Sequence, residues 1–379
     1  MTLKEIAQLA QVSHQAVSSV LRGKTNSRVS PETRERILRI AREGGYKCSF
    51  GYQLLHGKPT HTVAIITAHS HRPVEPHVQR LVLALLLKLE QKGYSSYLLS
   101  TGSNREENVA KTREMLNRGV EHFIFIYGPP NAAELVDILE KAGKTWIATT
   151  SFMRRFIQTD TANAFHALSK KLYTESDGHF MTLMPPSTDR MRMEALRRLF
   201  PSLDDCGIQE RYIFNCKAAH NFDYASSAYS GMKELLRKHP DVRAVQCAND
   251  AIMLGAANAA LSMGRIPGKD LELGGANADD AVFLFPYPLH TFNIISREMV
   301  DLLIERMTDS EDCRILLKSD SFRTQTAAGR IFANPADPLR EYLALSHINE
   351  DGNLPSAVLE GRNDQISSLP QSKTGGQQS

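Results

Sequence analysis

Residues 1–47 read MTLKEIAQLAQVSHQAVSSVLRGKTNSRVSPETRERILRIAREGGYK, and the order of caps and apolar positions in this stretch decides the N-terminal fold. Thr2-Leu3-Lys4-Glu5 has capping-box spacing: the hydroxyl can accept a backbone N–H three residues on, and the glutamate can reach back. The helix so opened places Ile6, Leu9 and Ala10 on one face. It must be short, because Ser13 supplies a second N-cap. From Ser13 onward Val17, Val20 and Leu21 recur at core spacing, while His14, Gln15, Ser18, Ser19 and Arg22 point elsewhere and Gly23 ends the helix. Ser30-Pro31-Glu32 then combines a capping serine, a proline at the first helical position and an acid. Ile37, Ile40 and Ala41 face inward on this third helix, which runs to about residue 42 before Gly44-Gly45 stops it. Three short helices with a tight turn between the first two predict a helix-turn-helix module.

In such a module the start of the second helix enters the major groove, so His14, Gln15, Ser18, Ser19 and Arg22 meet the DNA. Gln15 can pair bidentately with adenine, and the serines can donate or accept. Thr2, Ser13, Lys24, Arg28 and Thr33 are the expected phosphate contacts, which position the module without reading sequence. Periodicity alone fits a small protein–protein module equally well. The charge distribution bears on the choice: residues 1–60 hold ten Lys/Arg and four acids, a net +6, whereas the remainder holds 35 basic and 38 acidic residues. A basic module on a mildly acidic body fits contact with a polyanion through one end.

The motifs Thr2-Leu3-Lys4-Glu5-Ile6-Ala7, Val12-Ser13, Val17-Ser18, Val20-Leu21, Arg28-Val29-Ser30, Thr33-Arg34-Glu35-Arg36-Ile37 and Gly45-Tyr46-Lys47 together resemble the headpiece of the lactose/galactose repressor (LacI/GalR) family. That resemblance implies a double-stranded DNA operator as partner and a homodimer, since one headpiece covers a half-site. Three departures stand out. Gln11 occupies a position usually held by glycine, a change expected to be neutral. Ser19 replaces a common arginine or lysine, implying a different operator, and the linker 23–28 is longer than usual. The resemblance further implies a hinge over residues 48–60, with Ser49 capping a short helix, Gln53 within it and Leu55 wedging a base step of the minor groove. Gly51 weakens such a helix by about 1 kcal/mol relative to alanine.

From His61 onward, strand-like runs (62–67, 96–100, 122–127, 145–150, 178–184, 212–215, 244–247, 271–274) alternate with amphipathic helical stretches (75–92, 106–118, 132–142, 191–199, 224–238, 250–263). This rhythm predicts doubly wound parallel sheets. Two successive α/β units over 61–330 resemble the two-lobed, periplasmic-binding-protein-like body of the same family, with a small-molecule effector, commonly a sugar, in the cleft. Residues 331–379 form an extension whose last ten residues carry no large apolar side chain and are expected to be disordered. The fold class is thus an α headpiece plus an α/β body. No convincing leucine heptads mark a tetramerisation zipper.

Ala248-Asn249-Asp250-Ala251-Ile252-Met253-Leu254-Gly255-Ala256 resembles a family segment in which Asn249 faces ligand; Asp250 reads as the cap of the following helix. Arg192 aligns with a ligand-holding arginine, whose planar fork suits hydroxyls or carboxylates. Gly275-Ala276-Asn277-Ala278 replaces the usual G-[FY]-D-D, so Asn277 stands where the family binds ligand through an aspartate. Asp160-Thr161 replaces D-N, Ala164 replaces a glycine, and Ile294 stands at a position commonly glutamine. His69 and Tyr127, at strand ends, complete the expected effector contacts.

No catalytic constellation, cofactor motif or metal spacing is evident. The five cysteines (Cys48, Cys206, Cys216, Cys247, Cys313) are scattered without C-x-x-C, and His56, His61, His69 and His71 straddle a linker and a strand end. Residues 1–5 lead directly into a helix rather than a signal peptide, and the apolar run 81–87 is too short for a bilayer. A cytoplasmic regulator that is not an enzyme and has no membrane partner is the expectation.

Overall fold

A computed structural model of the chain describes residues 1–22, 29–46, 51, 53, 58–68, 75–186, 190–217, 223–319, 321–326, 329–331, 334, 335 and 337–339. The expectations for Gly23, Lys24, Arg28, Ser49, Leu55, His69 and the end of the tail lie outside these residues. The chain divides into two compact units, Met1–Thr60 and His61–Ser379.

The first unit contains helices α1 (Leu3–Leu9), α2 (His14–Leu21) and α3 (Pro31–Glu43). Each is started by the hydroxyl its sequence offers. Thr2 Oγ1 accepts from Glu5 N–H at 3.3 Å while Glu5 Oε2 accepts from Thr2 N–H at 2.9 Å, so both halves of the capping box form. Ser13 Oγ accepts from Ala16 N–H, and Ser30 Oγ accepts from Thr33 N–H, both at 3.2 Å. Ile6, Ala7, Ala10, Val17, Val20, Ile37 and Ala41 pack into the core. Ile40 and Leu21 are half-buried at its edge, but Leu9, expected inside, is 61% exposed. At 100° per residue the stripe centres between Ile6, Ala7 and Ala10, and Leu9 lies roughly 100° round the helix from it. Gln11 has φ +51° in the turn between α1 and α2, which explains the usual glycine there. A side chain in this left-handed region costs about 1–2 kcal/mol, so the substitution is not neutral.

The second unit is built on two six-stranded sheets. The first has the order β11-β5-β4-β3-β1-β2 and is wholly parallel, with β1 (Thr62–Ala68), β2 (Ser95–Thr101), β3 (His122–Ile126), β4 (Thr145–Ala148), β5 (Phe156–Thr159) and β11 (Arg314–Leu317). Along β1, Val63 and Ile65 face a core completed by α4 (Pro76–Gln91) and α13 (Arg297–Arg306). Ala64 and Ile66 face the opposite core, completed by α5 (Arg105–Asn117) and α6 (Ala132–Lys141). Side chains alternate along a strand, so a sheet covered on both faces needs an unbroken apolar run.

The second sheet has the order β12-β10-β9-β8-β6-β7, parallel except for β12 against β10. It comprises β6 (Phe180–Met184), β7 (Ile213–Asn215), β8 (Ala244–Cys247), β9 (Glu272–Gly274), β10 (His290–Phe292) and β12 (Ser321–Arg323). Its helices are α7 (Thr161–Glu175), α8 (Arg190–Leu199), α9 (Asp205–Tyr212), α10 (Tyr224–Lys238), α11 (Asp250–Ser262) and the short α12 (Asp280–Leu284). The two lobes are therefore not successive. The chain leaves the first after β5, builds most of the second, returns for α13 and β11, and crosses again to β12. Helices α10 and α11 pack closely because Gly255 admits the backbone: a Cβ there would stand 2.2 Å from the Ala225 carbonyl oxygen. Gly255→Ala should destabilise the second unit by about 1–3 kcal/mol, measured as a lowered urea midpoint at unchanged slope; an unaffected midpoint would refute this tight contact.

Candidate functional site

Two surfaces carry chemistry. On the first unit, Val17 and Val20 of α2 are buried, so the rest of its circumference must face outward. His14, Gln15 and Arg22 are exposed, and Ser18 and Ser19 are half-buried. These polar groups line the outer side of a helix whose position is set by its own core contacts. Thr2 and Ser13 spend their side-chain oxygens on helix caps, and the Thr33 hydroxyl oxygen accepts from Ser30 Oγ at 2.9 Å. Of the hinge, Gln53 is half-buried and its carbonyl accepts from Lys58 N–H at 2.9 Å.

In the second unit a cavity of about 380 Å³ opens between the lobes, at the carboxyl ends of β3, β5, β6 and β8. Glu75, His77, Tyr127, Gln158 and Thr159 line it from the first lobe, and Thr161, Arg192, Tyr224, Asn249 and Asn277 from the second. Of the effector contacts expected from the sequence, the fold brings Arg192, Asn249, Asn277 and Tyr127 to this one space. Arg192, on α8, donates from Nε to the Ala248 carbonyl at 2.9 Å, and its Nη2 donates to the same oxygen. Burial lowers its pKa to about 10, against an opposing pull from Tyr127. Tyr127 sits in the left-handed region at φ +49°, and burial pushes its phenol well above the usual range. Ile294 lines the same space, so three of the departures from the family pattern, Thr161, Asn277 and Ile294, face the cavity.

The cap of α11 differs from expectation. Asn249, not Asp250, is the N-cap, and its Oδ1 accepts from Ile252 N–H at 2.9 Å. Asp250 is fully buried one residue inside the helix. Its Oδ2 accepts from Asp279 N–H at 2.8 Å and its Oδ1 from the Thr291 hydroxyl at 2.8 Å. The carboxylate thus ties α11 to the start of α12 and to the middle of β10, which a cap pointing along its own helix could not do. Asn277 adopts φ +105°; its N–H donates to Phe292 O at 2.9 Å, and its carbonyl accepts from Arg80 Nη2 at 3.0 Å.

That last bond crosses between lobes. Arg80, buried on α4, also pairs with Asp279 at 3.4 Å and Asp280 at 3.0 Å. Neither Arg80 nor Glu75 stood out in the sequence, although Glu75 immediately precedes a helix-starting proline at the ligand edge of the sheet. Its carboxylate does not cap α4, and it approaches His77 Nε2 at 3.5 Å. Burial raises its pKa to about 7, with Asp279 adding in the same direction.

The Glu75 shift has a sign that can be tested. Its folded pKa lies above the ordinary 4.5, so the folded state holds the proton more tightly. This carboxyl therefore subtracts stability as pH rises from about 4.5 to 7, and the loss is complete above that window. Glu75→Gln should unfold at higher denaturant than the parent at pH 8, by about 1–3 kcal/mol, with the gain gone at pH 4.5. A gain equal at both pH values would refute the assignment.

Among the described residues no group of His, Cys, Asp and Glu is placed to hold a metal ion, and no helix is long and apolar enough to cross a membrane.

A helix-turn-helix unit followed by a two-lobed α/β unit with an interlobe cavity defines a class of regulators that couple DNA binding to a small ligand. Residues 2–49 match the bacterial regulatory proteins of the lacI family, and residues 60–272 match the periplasmic binding proteins and sugar binding domain of that family. The chain belongs to the LacI family and is a DNA-binding transcriptional regulator. It is 24% identical to the HTH-type transcriptional regulator CelR of Thermobifida fusca over 84% of this chain and 96% of that one. It is 22% identical to the ribose operon repressor of Haemophilus influenzae over 85% and 94%, respectively. The fold matches the Lac repressor dimer bound to operator and the anti-inducer ONPF (TM-score 0.63, 20% identity, 85% of this chain and 98% of that chain). It also matches the CelR–cellobiose complex (TM-score 0.55, 23% identity, the same coverage).

Proposed function

We propose that the protein is a homodimeric repressor that lays α2 of each headpiece into one half of a near-palindromic operator, and that a sugar in the interlobe cavity tunes this affinity. The observation that carries the DNA half is the outward polar set His14, Gln15, Ser18, Ser19 and Arg22 on a helix held by Val17 and Val20. Thr2, Ser13, Lys24, Arg28 and Thr33 contact phosphate, Ser49 caps the hinge helix that carries Gln53, and Leu55 wedges a base step of the minor groove. The working division is a headpiece over 1–47, a hinge over 48–60, a sensing and dimerisation body over 61–330 and a tail over 331–379. Such a protein acts in the cytoplasm, by binding rather than by catalysis. Similarity to the CelR–cellobiose structure and to a ribose operon repressor supports a sugar as effector. Arg192, Asn249, Asn277 and Tyr127 are its proposed contacts, with His69 beside them. A ligand shifts DNA affinity only by its different affinity for the two lobe arrangements.

Selection of bound sequences from a random duplex library by the full-length protein tests the DNA half: a two-fold symmetric motif is expected, and no enrichment even at low salt would overturn it. On the selected operator, Gln15→Ala should lose discrimination at one base position, by about 1–3 kcal/mol. Arg28→Ala should instead weaken all sequences and flatten the salt dependence. Identical behaviour of the two variants would refute the split between reading and positioning residues.

A second reading, a constitutive regulator with a vestigial cavity, is favoured by two observations. The Arg192 fork is engaged with the Ala248 carbonyl, and an amide at Asn277 replaces the expected carboxylate. A thermal-shift screen of sugars separates the two, since a true effector raises the melting temperature with concentration.

A further inference from the structure

Beside the interlobe cavity lies a second space of about 590 Å³, wholly within the first lobe. It sits over the carboxyl ends of β3 and β4, between the start of α6 and the loop from β4 to β5. Pro129, Pro130, Val136, Trp146, Phe152 and Met153 make its surface mostly apolar. Tyr127, Thr150 and Phe152 line both spaces, so the two adjoin along one shared wall. Phe152 in that wall is 80% exposed, which leaves a whole phenyl ring in water at the junction. Scattered apolar residues on a surface need no explanation, but a ring at the shared edge of two adjoining cavities, one carrying most of the polar groups, has a specific use.

We propose that this groove is an annex of the effector site and that the effector is an amphipathic glycoside, with its sugar in the interlobe cavity and an aryl or alkyl aglycone lying across Phe152 against Pro129, Pro130 and Met153. The inference rests on reading the cavity as a sugar site. Adjacency decides the occupant: a free hydrophobe in the groove would have no polar anchor, whereas a glycosidic substituent leaving the cavity past Tyr127 and Thr150 meets apolar surface at once. The polar groups of the cavity supply orientation, and the annex supplies affinity by removing apolar area from water. Trp146 beneath the groove is the only tryptophan of the chain, so its emission reports on the annex.

The test compares methyl, phenyl and octyl glycosides of glucose, galactose and xylose, in both anomers, on the full-length protein by calorimetry and by Trp146 fluorescence. For the sugar that binds, the phenyl or octyl glycoside should bind at least about tenfold tighter than the methyl glycoside and shift Trp146 emission, as the methyl glycoside does not. Pro130→Asp, at an exposed position that lines the annex but not the interlobe cavity, should retain methyl glycoside affinity and lose most of that advantage. If methyl glycosides bind and larger aglycones add nothing, or if the advantage survives intact in Pro130→Asp, the annex is refuted while the sugar reading stands. If no glycoside of any series binds, the sugar reading falls and takes the annex with it.

Discussion

Replacing Arg80 by methionine will cost about 3–5 kcal/mol of folding stability at pH 8. The guanidinium is 8% exposed and bonds Asn277 O, Asp279 and Asp280 of the opposite lobe. Asp280 is largely exposed, so its share is small. Asp279 is buried beside Asp250, and burial lifts its pKa to about 6 even though Arg80 pulls it down. Without Arg80, a buried carboxylate is left uncompensated, and it escapes only by taking up a proton. The sign follows: without Arg80 the carboxyl holds its proton to higher pH than in the parent, so the electrostatic penalty grows as pH rises above about 6 and is smallest below it. Urea unfolding of the parent and Arg80→Met at pH 8 and pH 5 measures this. A loss below about 1 kcal/mol at pH 8, or one equal at both pH values, would contradict the electrostatic account. Because this is a bridge between lobes, its removal should also change how strongly effector and operator affinity are coupled.

Ile37→Ala should abolish operator binding while leaving the body intact. Ile37 is fully buried where the three helices meet, in a core otherwise made of small residues and valines around Ile6. Truncation of a buried isoleucine costs about 2–5 kcal/mol. A unit of this size has little more than that to lose. The body cores contain no headpiece residue, so the thermal transition of the second unit should be unchanged. Fluorescence anisotropy on the selected operator, paired with calorimetric unfolding, tests this. Retained operator affinity in Ile37→Ala would mean the headpiece tolerates the cavity.

Much of the fold was legible because local chemistry writes it directly. Three hydroxyls, two of them followed by an acid or a proline, marked the helix starts at Thr2, Ser13 and Ser30, and each accepts the cap bond its spacing implied. The helix Tyr224–Lys238 and strand Ala244–Cys247 coincide with the expected spans. What escaped were elements with short or mixed patterns: β5, α7, α9, α12, β10, α13, β11 and β12. A four-residue strand such as Phe156–Thr159 has too few positions for its period to show. The return of α13 and β11 to the first sheet involves partners more than a hundred residues away, as in the pairing of Arg314 with Phe156. No window of sequence contains that information.

The same division runs through the cleft. The sequence by itself determined the headpiece, the alternating body, and the candidacy of Arg192, Asn249, Asn277 and Tyr127, because strand ends and family motifs are local. Only the tertiary structure decided that Asn249 rather than Asp250 caps α11 and that Asp250 ties three segments together. It alone decided that Arg80 bridges the lobes, that Glu75 shares the cavity with Asn277, and that Phe152 lines two adjoining spaces. The reason is physical: capping and periodicity act between neighbours in the chain, whereas burial, charge pairing and cavity shape depend on groups that meet only once both lobes are folded.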